Sequence, residues 1–234
     1  MADTLIILPT YNEKGNIASI IDRILLAVPS AHILVVDDSS PDGTADIVRQ
    51  IEKTNLAVKL LVREKKEGLG RAYLATFMHV LKDQQYDFLV MMDADHSHDP
   101  AYLPTMLLRA KDHDVVVGSR YCKGGGTEGW ELWRVLLSRF GNLYCRVITG
   151  IPVYDATAGF NVLRTSMLRL APLQGIDLSG YAFQIELKYL LWRHGARITE
   201  VPIVFKCRRE GESKISNHII REGLIAPWKM RFKY

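Results

Sequence analysis

Two apolar runs in this chain each stop on paired carboxylates, and that pattern limits the fold more tightly than any other. Ile33-Leu-Val-Val36 runs into Asp37-Asp38, and Phe88-Leu-Val-Met-Met92 runs into Asp93-Ala94-Asp95. Runs this apolar read as strands buried on both faces of a parallel sheet. The carboxyl ends of such strands are where open α/β sheets bind ligands. Carboxylates crowded there repel each other unless a cation, an arginine or solvent compensates. A hard divalent cation bridging phosphate oxygens needs that arrangement, which points to a nucleotide diphosphate held by a metal. Asp37-Asp38 taken alone fits a turn or helix cap equally well. The polar continuation His96-Ser-His-Asp99 favours function at the second pair.

The first half alternates short strands with amphipathic helices. Strands are expected at Leu5–Leu8, Ile33–Val36, Val58–Val62, Phe88–Met92 and Val115–Gly118, and helices at Asn16–Ala27, Thr44–Glu52, Gly70–Lys82 and Tyr102–Lys111. Short links between them imply right-handed crossovers and a mostly parallel sheet. A chain of 234 residues, 48% hydrophobic and 24% charged, suits one globular domain with a small extension. Cys122, Cys145 and Cys207 are odd in number and widely spaced, so free thiols in a reducing compartment are expected. The start, Met1-Ala-Asp-Thr-Leu-Ile, has no basic region ahead of its apolar residues and does not read as a signal peptide. No stretch reaches the roughly 18 apolar residues of a spanning helix. A net charge of +4 does not imply nucleic acid.

After Gly118 the pattern changes. Gly124-Gly-Gly126 opens a loop, and a long helix is expected from about Glu131 to Ile148. Its apolar stripe includes Trp133, Leu136, Leu137, Phe140, Leu143 and Val147, while Arg134, Ser138, Asn142 and Arg146 form an opposite polar ridge. Such a ridge is ordinarily a solvated face. Strand Phe160–Leu163, helices Ser166–Leu170 and Phe183–His194, and a single strand Ile198–Phe205 follow. Beyond residue 212 a segment to Tyr234 interleaves Lys and Arg with Ile, Leu, Trp and Phe, as on an anionic membrane surface.

Several short motifs punctuate this frame. They are Pro9-Thr-Tyr-Asn-Glu13, Asp42-Gly-Thr44, Gly68-Leu-Gly70, Gly118-Ser-Arg120, Asp155 with Thr157-Ala-Gly-Phe160, Gly180-Tyr-Ala-Phe-Gln184 with Glu186, Glu200-Val-Pro-Ile203, and Arg208 with Gly211 and Ser213-Lys214. Glycines at 68 and 70 would let backbone approach a phosphate or base. Arg208, Ser213 and Lys214 together suit phosphate oxygens. In order, and together with both acidic strand ends, these motifs resemble the family-2 glycosyltransferases of GT-A fold. More closely, they resemble the dolichol- or polyprenyl-phosphate mannose synthases, over nearly the whole chain.

The resemblance implies a GT-A (Rossmann-like) α/β domain over residues 1–212 and a basic amphipathic segment at 213–234. It implies an inverting enzyme that moves mannose from GDP-mannose to a dolichyl or polyprenyl phosphate with Mg²⁺ or Mn²⁺. By position, Pro9, Tyr11, Glu13, Asp38, Asp93 and Ala94 would bind the nucleotide sugar, with Arg120, Arg208 and Lys214 around its phosphates. Asp95 would hold the metal; Ser97 stands where some members carry a ligating Gln. Arg120, Arg134 and Ser138 would surround the acceptor phosphate. Ser179 replaces a Lys of some relatives. Two other readings of the same motifs are a UDP-glucose-dependent polyprenyl-phosphate glucose synthase and a non-catalytic lipid-phosphate-binding subunit. The expected location is peripheral, at the cytoplasmic face of a membrane: the plasma membrane in a prokaryote, the endoplasmic reticulum in a eukaryote. A membrane-anchoring protein subunit is a further expected partner.

Overall fold

The computed structural model describes residues 3–83, 85–176, 180–207 and 217–234, with backbone alone at 180–181 and 217–222. The strands are β1 (Thr4–Thr10), β2 (His32–Asp37), β3 (Val58–Val62), β4 (Phe88–Met91), β5 (Val115–Ser119), β6 (Gly126–Glu128), β7 (Asn161–Arg164), β8 (Ile198–Pro202) and β9 (Val204–Lys206). The helices are α1 (Ile17–Ala27), α2 (Thr44–Thr54), α3 (Leu69–Val80), α4 (Leu103–Ala110), α5 (Leu132–Thr149), α6 (Thr165–Leu170), α7 (Gly180–Arg193) and α8 (Asn217–Lys233). One seven-stranded sheet runs in the order β3-β2-β1-β4-β7-β5-β8. All its neighbours pair in parallel except β7, which is antiparallel to both β4 and β5.

The unbroken apolar runs follow from burial on two sides. In β1, Leu5 and Ile7 join the core layer under α3, α6 and α7, while Ile6 and Leu8 join the layer under α1 and α4. Helix α1 meets the second layer with Ile17, Ile20, Ile21 and Ile24, a spacing that lines one helical face. Each of these four side chains is fully buried; truncating one to Ala should cost about 2–5 kcal/mol. Register aligns the functional edge: Thr10 lies opposite Asp37, and Ile7 opposite Met91. The carboxyl ends of β1, β2 and β4 therefore open on one rim.

Three local expectations are corrected. The run at 198–205 is two strands in two sheets. Pro202 has no N–H to donate to a ladder, and the chain leaves the main sheet there. Ile203 bridges the change: its N–H donates to Ser119 O, and its carbonyl accepts from Gly126 N. The glycine loop at 124–126 leads into β6, which pairs with β9. Gly125 must lack a side chain, because a Cβ there would lie 2.5 Å from Ser119 O.

Helix α5 is the third correction, since its two faces are turned the other way. The apolar stripe faces outward, with Phe140 63% and Val147 72% exposed. The ridge turns inward: Asn142 is buried, and Arg134, Ser138 and Arg146 are partly buried. Inward placement is stabilised by hydrogen bonds, because the Asn142 side chain both donates to Thr157 Oγ1 and accepts from Thr157 N–H. Helix α8 lies against α5. Trp228 Nε1 donates to Tyr144 Oη, Tyr144 Oη donates to Leu224 O, and Arg231 donates to Ile148 O. Among the described residues no helix is long and apolar enough to cross a membrane.

Candidate active site at the strand tips

Backbone strain marks the rim. Among the described residues, the non-glycine positions with positive φ are Asn12, Ser39 and His96, one just past each of β1, β2 and β4. Left-handed backbone costs a non-glycine residue energy, and such strain collects at functional sites. Asp37 is fully buried and accepts from Thr10 Oγ1, Ser40 N and Ser40 Oγ. It shapes the turn that presents Asp38. Asp38 pairs with Arg63 at 2.7 Å, and burial raises its pKa against the opposing pull of that arginine. Lys66 sits 3.5 Å from the centre of the Tyr11 ring. The Glu13 carboxylate accepts from Asn16 Nδ2. Pro9, Tyr11, Glu13 and Asp38 thus line the β1–β2 side of the rim.

Gly68-Leu-Gly70 also has a packing role. A Cβ on Gly70 would stand 2.9 Å from the Phe183 ring. That glycine lets α3 and α7 close on each other.

At the β4 tip, Asp95 is buried and its Oδ1 accepts from Ser97 N at 3.0 Å and Ser97 Oγ at 2.5 Å. The Ser97 hydroxyl is committed to orienting Asp95. Ala94 is buried between the two acids. Among the described residues no cluster of three or more His, Cys, Asp or Glu could hold a metal. The hard carboxylate oxygens of Asp93 and Asp95 at one strand end fit Mg²⁺ or Mn²⁺ held by one or two carboxylates plus substrate phosphates. His98, which the sequence did not single out, is buried and accepts the Asp93 N–H at Nδ1. It stacks on Phe160 with ring centroids 5.1 Å apart. His96 Nε2 meets Ser19 Oγ at 2.8 Å, and Arg23 bonds both His96 Nδ1 and Asp99. A cavity of about 680 Å³ opens beside Asp95 there, lined also by Glu128, Lys206 and Cys207.

The basic half is built around Arg120 at the end of β5. Asp155 accepts from its backbone N, its Nε and its Nη2, at 2.9, 2.7 and 2.7 Å. Nη2 also donates to Thr157 Oγ1. Burial alone would raise the Asp155 pKa, but the Arg120 charge and hydrogen bonds outweigh it and hold the carboxyl below its usual range. Trp130 lies between the two arginines named from the sequence. Its ring centre is 5.4 Å from the Arg120 guanidinium and 4.2 Å from that of Arg134. Arg134 Nε is buried with no hydrogen-bond partner among the described residues. A buried donor in that condition suits an incoming anion. Ser138 lies one turn on from Arg134 along the same ridge, and its carbonyl accepts from Asn142. Arg208, Lys214, Ser179 and the expected 212/213 boundary fall outside the described residues.

Sequence reading missed what holds this half together. Lys188 on α7 is fully buried, and its ammonium donates to Ala156 O, Ala158 O and Gln184 O at 3.1, 2.7 and 3.2 Å. Burial pushes its pKa down to about 7, while the Asp155 charge pulls it up. Glu200 on β8 accepts the Tyr154 and Asp155 N–H groups. The antiparallel β7 explains the location, because residues 155–160 enter it from the rim where its neighbours end.

An α/β sheet with acids on one side of its rim and arginines on the other is the frame of a transferase that handles anionic substrates. The glycosyl transferase family 2 model matches residues 5–170, and the chain belongs to that family. Two relatives span nearly all of it. The undecaprenyl-phosphate mannosyltransferase of Micrococcus luteus is 42% identical, with 94% of this chain and 90% of the relative covered. The polyprenol monophosphomannose synthase of Mycolicibacterium smegmatis is also 42% identical, with 97% and 87% covered. Among solved structures, glucosyl-3-phosphoglycerate synthase from Mycobacterium tuberculosis with Mn²⁺, UDP and phosphoglyceric acid superposes with a TM-score of 0.69 at 18% identity, over 98% of this chain and 78% of that one. Mannosyl-3-phosphoglycerate synthase from Rubrobacter xylanophilus gives 0.67 at 19%, over 99% and 73%. These two share the fold, which is the expected GT-A type.

Proposed function

We propose that this protein transfers a mannosyl group from GDP-mannose to a polyprenyl phosphate at a membrane surface. One observation carries the reading: α5 turns Arg134 and Asn142 inward to the basic half of the site while Leu136, Phe140, Leu143 and Val147 face outward. A single helix so disposed meets a phosphate on one side and hydrocarbon on the other. The family and both relatives' names support the same chemistry. Exposed Leu224, Trp228 and Phe232 on the neighbouring α8 extend the apolar face. With Lys229 and Arg231 beside them, peripheral binding to an anionic cytoplasmic leaflet follows, with or without an anchoring subunit.

The acceptor phosphate is already an anion, so attack on the sugar needs no general base. The work of the protein is to bring two anions together and steady the departing diphosphate. Arg134, stacked against Trp130, receives the acceptor phosphate together with Ser138 and Arg120; Arg120, fixed by Asp155, also supplies positive potential towards the donor. Pro9, Tyr11, Glu13, Asp38 and Asp93 hold the nucleotide sugar. Asp95 and the donor diphosphate would hold Mg²⁺ or Mn²⁺, which supplies charge to the leaving group. Arg208 and Lys214 complete the phosphate contacts.

Incubation of the purified protein with GDP-mannose or UDP-glucose, with and without a polyprenyl phosphate, tests this. A mannolipid formed only from GDP-mannose and lipid is the expected product. Turnover of UDP-glucose alone would end the mannose assignment, and sugar transfer without lipid would end the lipid assignment.

A further inference from the structure

The side-chain amide of Gln184 has no role so far, although the motif that ends on it is among those quoted above. Gln184 is 2% exposed. Its Oε1 is fixed by Asn161 Nδ2 at 3.2 Å, and its backbone carbonyl by Lys188 Nζ. Its Nε2 has no hydrogen-bond partner among the described residues. A buried amide held at one end and unsatisfied at the other costs about 1–3 kcal/mol unless a ligand completes it.

The geometry around Gly159 points to a place beside that amide. A Cβ on Gly159 would lie 3.8 Å from Asp93 Oδ2, 3.9 Å from Gln184 Nε2 and 3.4 Å from His98 Cε1. One point, which a side chain at residue 159 would fill, therefore has a carboxylate acceptor and an amide donor around it. Gly159 is partly exposed and the Asp93 side chain is 25% exposed, so the point opens to the rim. A sugar hydroxyl donates one hydrogen bond and accepts others, which matches this pair.

We propose that Gln184 is a specificity-determining residue: its Nε2 donates to one hydroxyl of the hexose on the nucleotide-sugar donor, at the place kept open by Gly159. This rests on the reading of the site as one for a nucleotide-activated hexose. A site built to hydrogen-bond a hydroxyl discriminates strongly against sugars that lack it or point it elsewhere. Lys188 has a positioning part in this, since it ties the Gln184 backbone to the loop that carries Gly159.

The test compares the full-length protein with Gln184→Leu and Gly159→Ala, using the donor that the wild type turns over and its 2-, 3-, 4- and 6-deoxy analogues at saturating acceptor. The added methyl of Gly159→Ala meets only ordinary van der Waals distances, so this variant should fold even where Gln184→Leu does not. Each variant should lower kcat/KM for the full donor by about 10- to 100-fold. For one deoxy analogue the same substitution should cost less than about threefold, and the acceptor KM should not move. Equal losses on every deoxy donor, or a raised acceptor KM with donor kinetics intact, would overturn the proposal. Wild-type turnover of a glucose donor would defeat the mannose reading while leaving this comparison to be run on that donor.

Discussion

The acidic and basic halves of the rim differ in how far away in sequence their partners lie. Asp37, Asp42 and Asp95 each accept from a residue two or three positions on, Ser40, Thr44 and Ser97, although Asp37 also accepts from Thr10 and Asp38 pairs with Arg63. Arg120 is steadied from a distance, by Asp155 35 residues on, and Asp155 in turn by Glu200 45 residues further. A locally built site can lose one group and keep its shape. A site built from long-range pairs holds charges that are tolerable only because the fold brings their partners in. The acidic half should therefore fail by chemistry and the basic half by folding.

Asp155→Asn puts the largest strain on that distinction. It leaves the Arg120 guanidinium buried without a counter-charge, and unfolding in denaturant should show a loss of about 3–5 kcal/mol. Unchanged stability with reduced turnover would mean that the basic half is no more fold-dependent than the acidic one. Asp95→Asn is the counterpart. Turnover should fall about 100- to 1,000-fold while the melting temperature stays within about 2 °C of wild type. A variant that melted early would place Asp95 among the structural acids.

Lys188 sharpens the comparison through pH. The folded ammonium releases its proton near pH 7, the unfolded one near 10.5. Between those values the unfolded state binds more protons, so the stability of the wild type should climb with pH, by at most about 1.4 kcal/mol per unit. Lys188→Met should lack that climb, as denaturant midpoints at pH 7 and 9 would reveal. Parallel profiles would mean that the three carbonyls keep the ammonium charged throughout.

The same division decided what the sequence made legible. Strand and helix periods, and acids that bond within three residues of themselves, leave their mark in a short window, so the sheet and the β4 tip were readable there. Asn142 reads as solvated because its partner Thr157 is 15 residues away. The inverted faces of α5 follow from that pairing, and no hydrophobic period contains it. Pro202 is a local signal for the split of the last strand, although the apolar run around it reads as continuous. The packing role of Gly70 is invisible in sequence because its neighbour Phe183 is remote. His98 and Lys188 carried no motif of their own; only the fold reveals that they brace Asp93 and the 155–158 loop.

The dependence of Arg120 on Asp155, Lys188 and Glu200 bears on how the chain is made. Synthesis is vectorial, and domains assemble from the amino terminus as they emerge. The strands that carry Asp37 and Asp95 emerge first, but Leu5, Ile7, Leu89 and Met91 beneath them pack in one core with Phe183, Leu187 and Leu190 of α7. Arg120 likewise waits for Glu200, which accepts the Asp155 N–H. Both halves of the rim therefore reach their final form only after about residue 200 has been made, and competence arrives as a late event of translation.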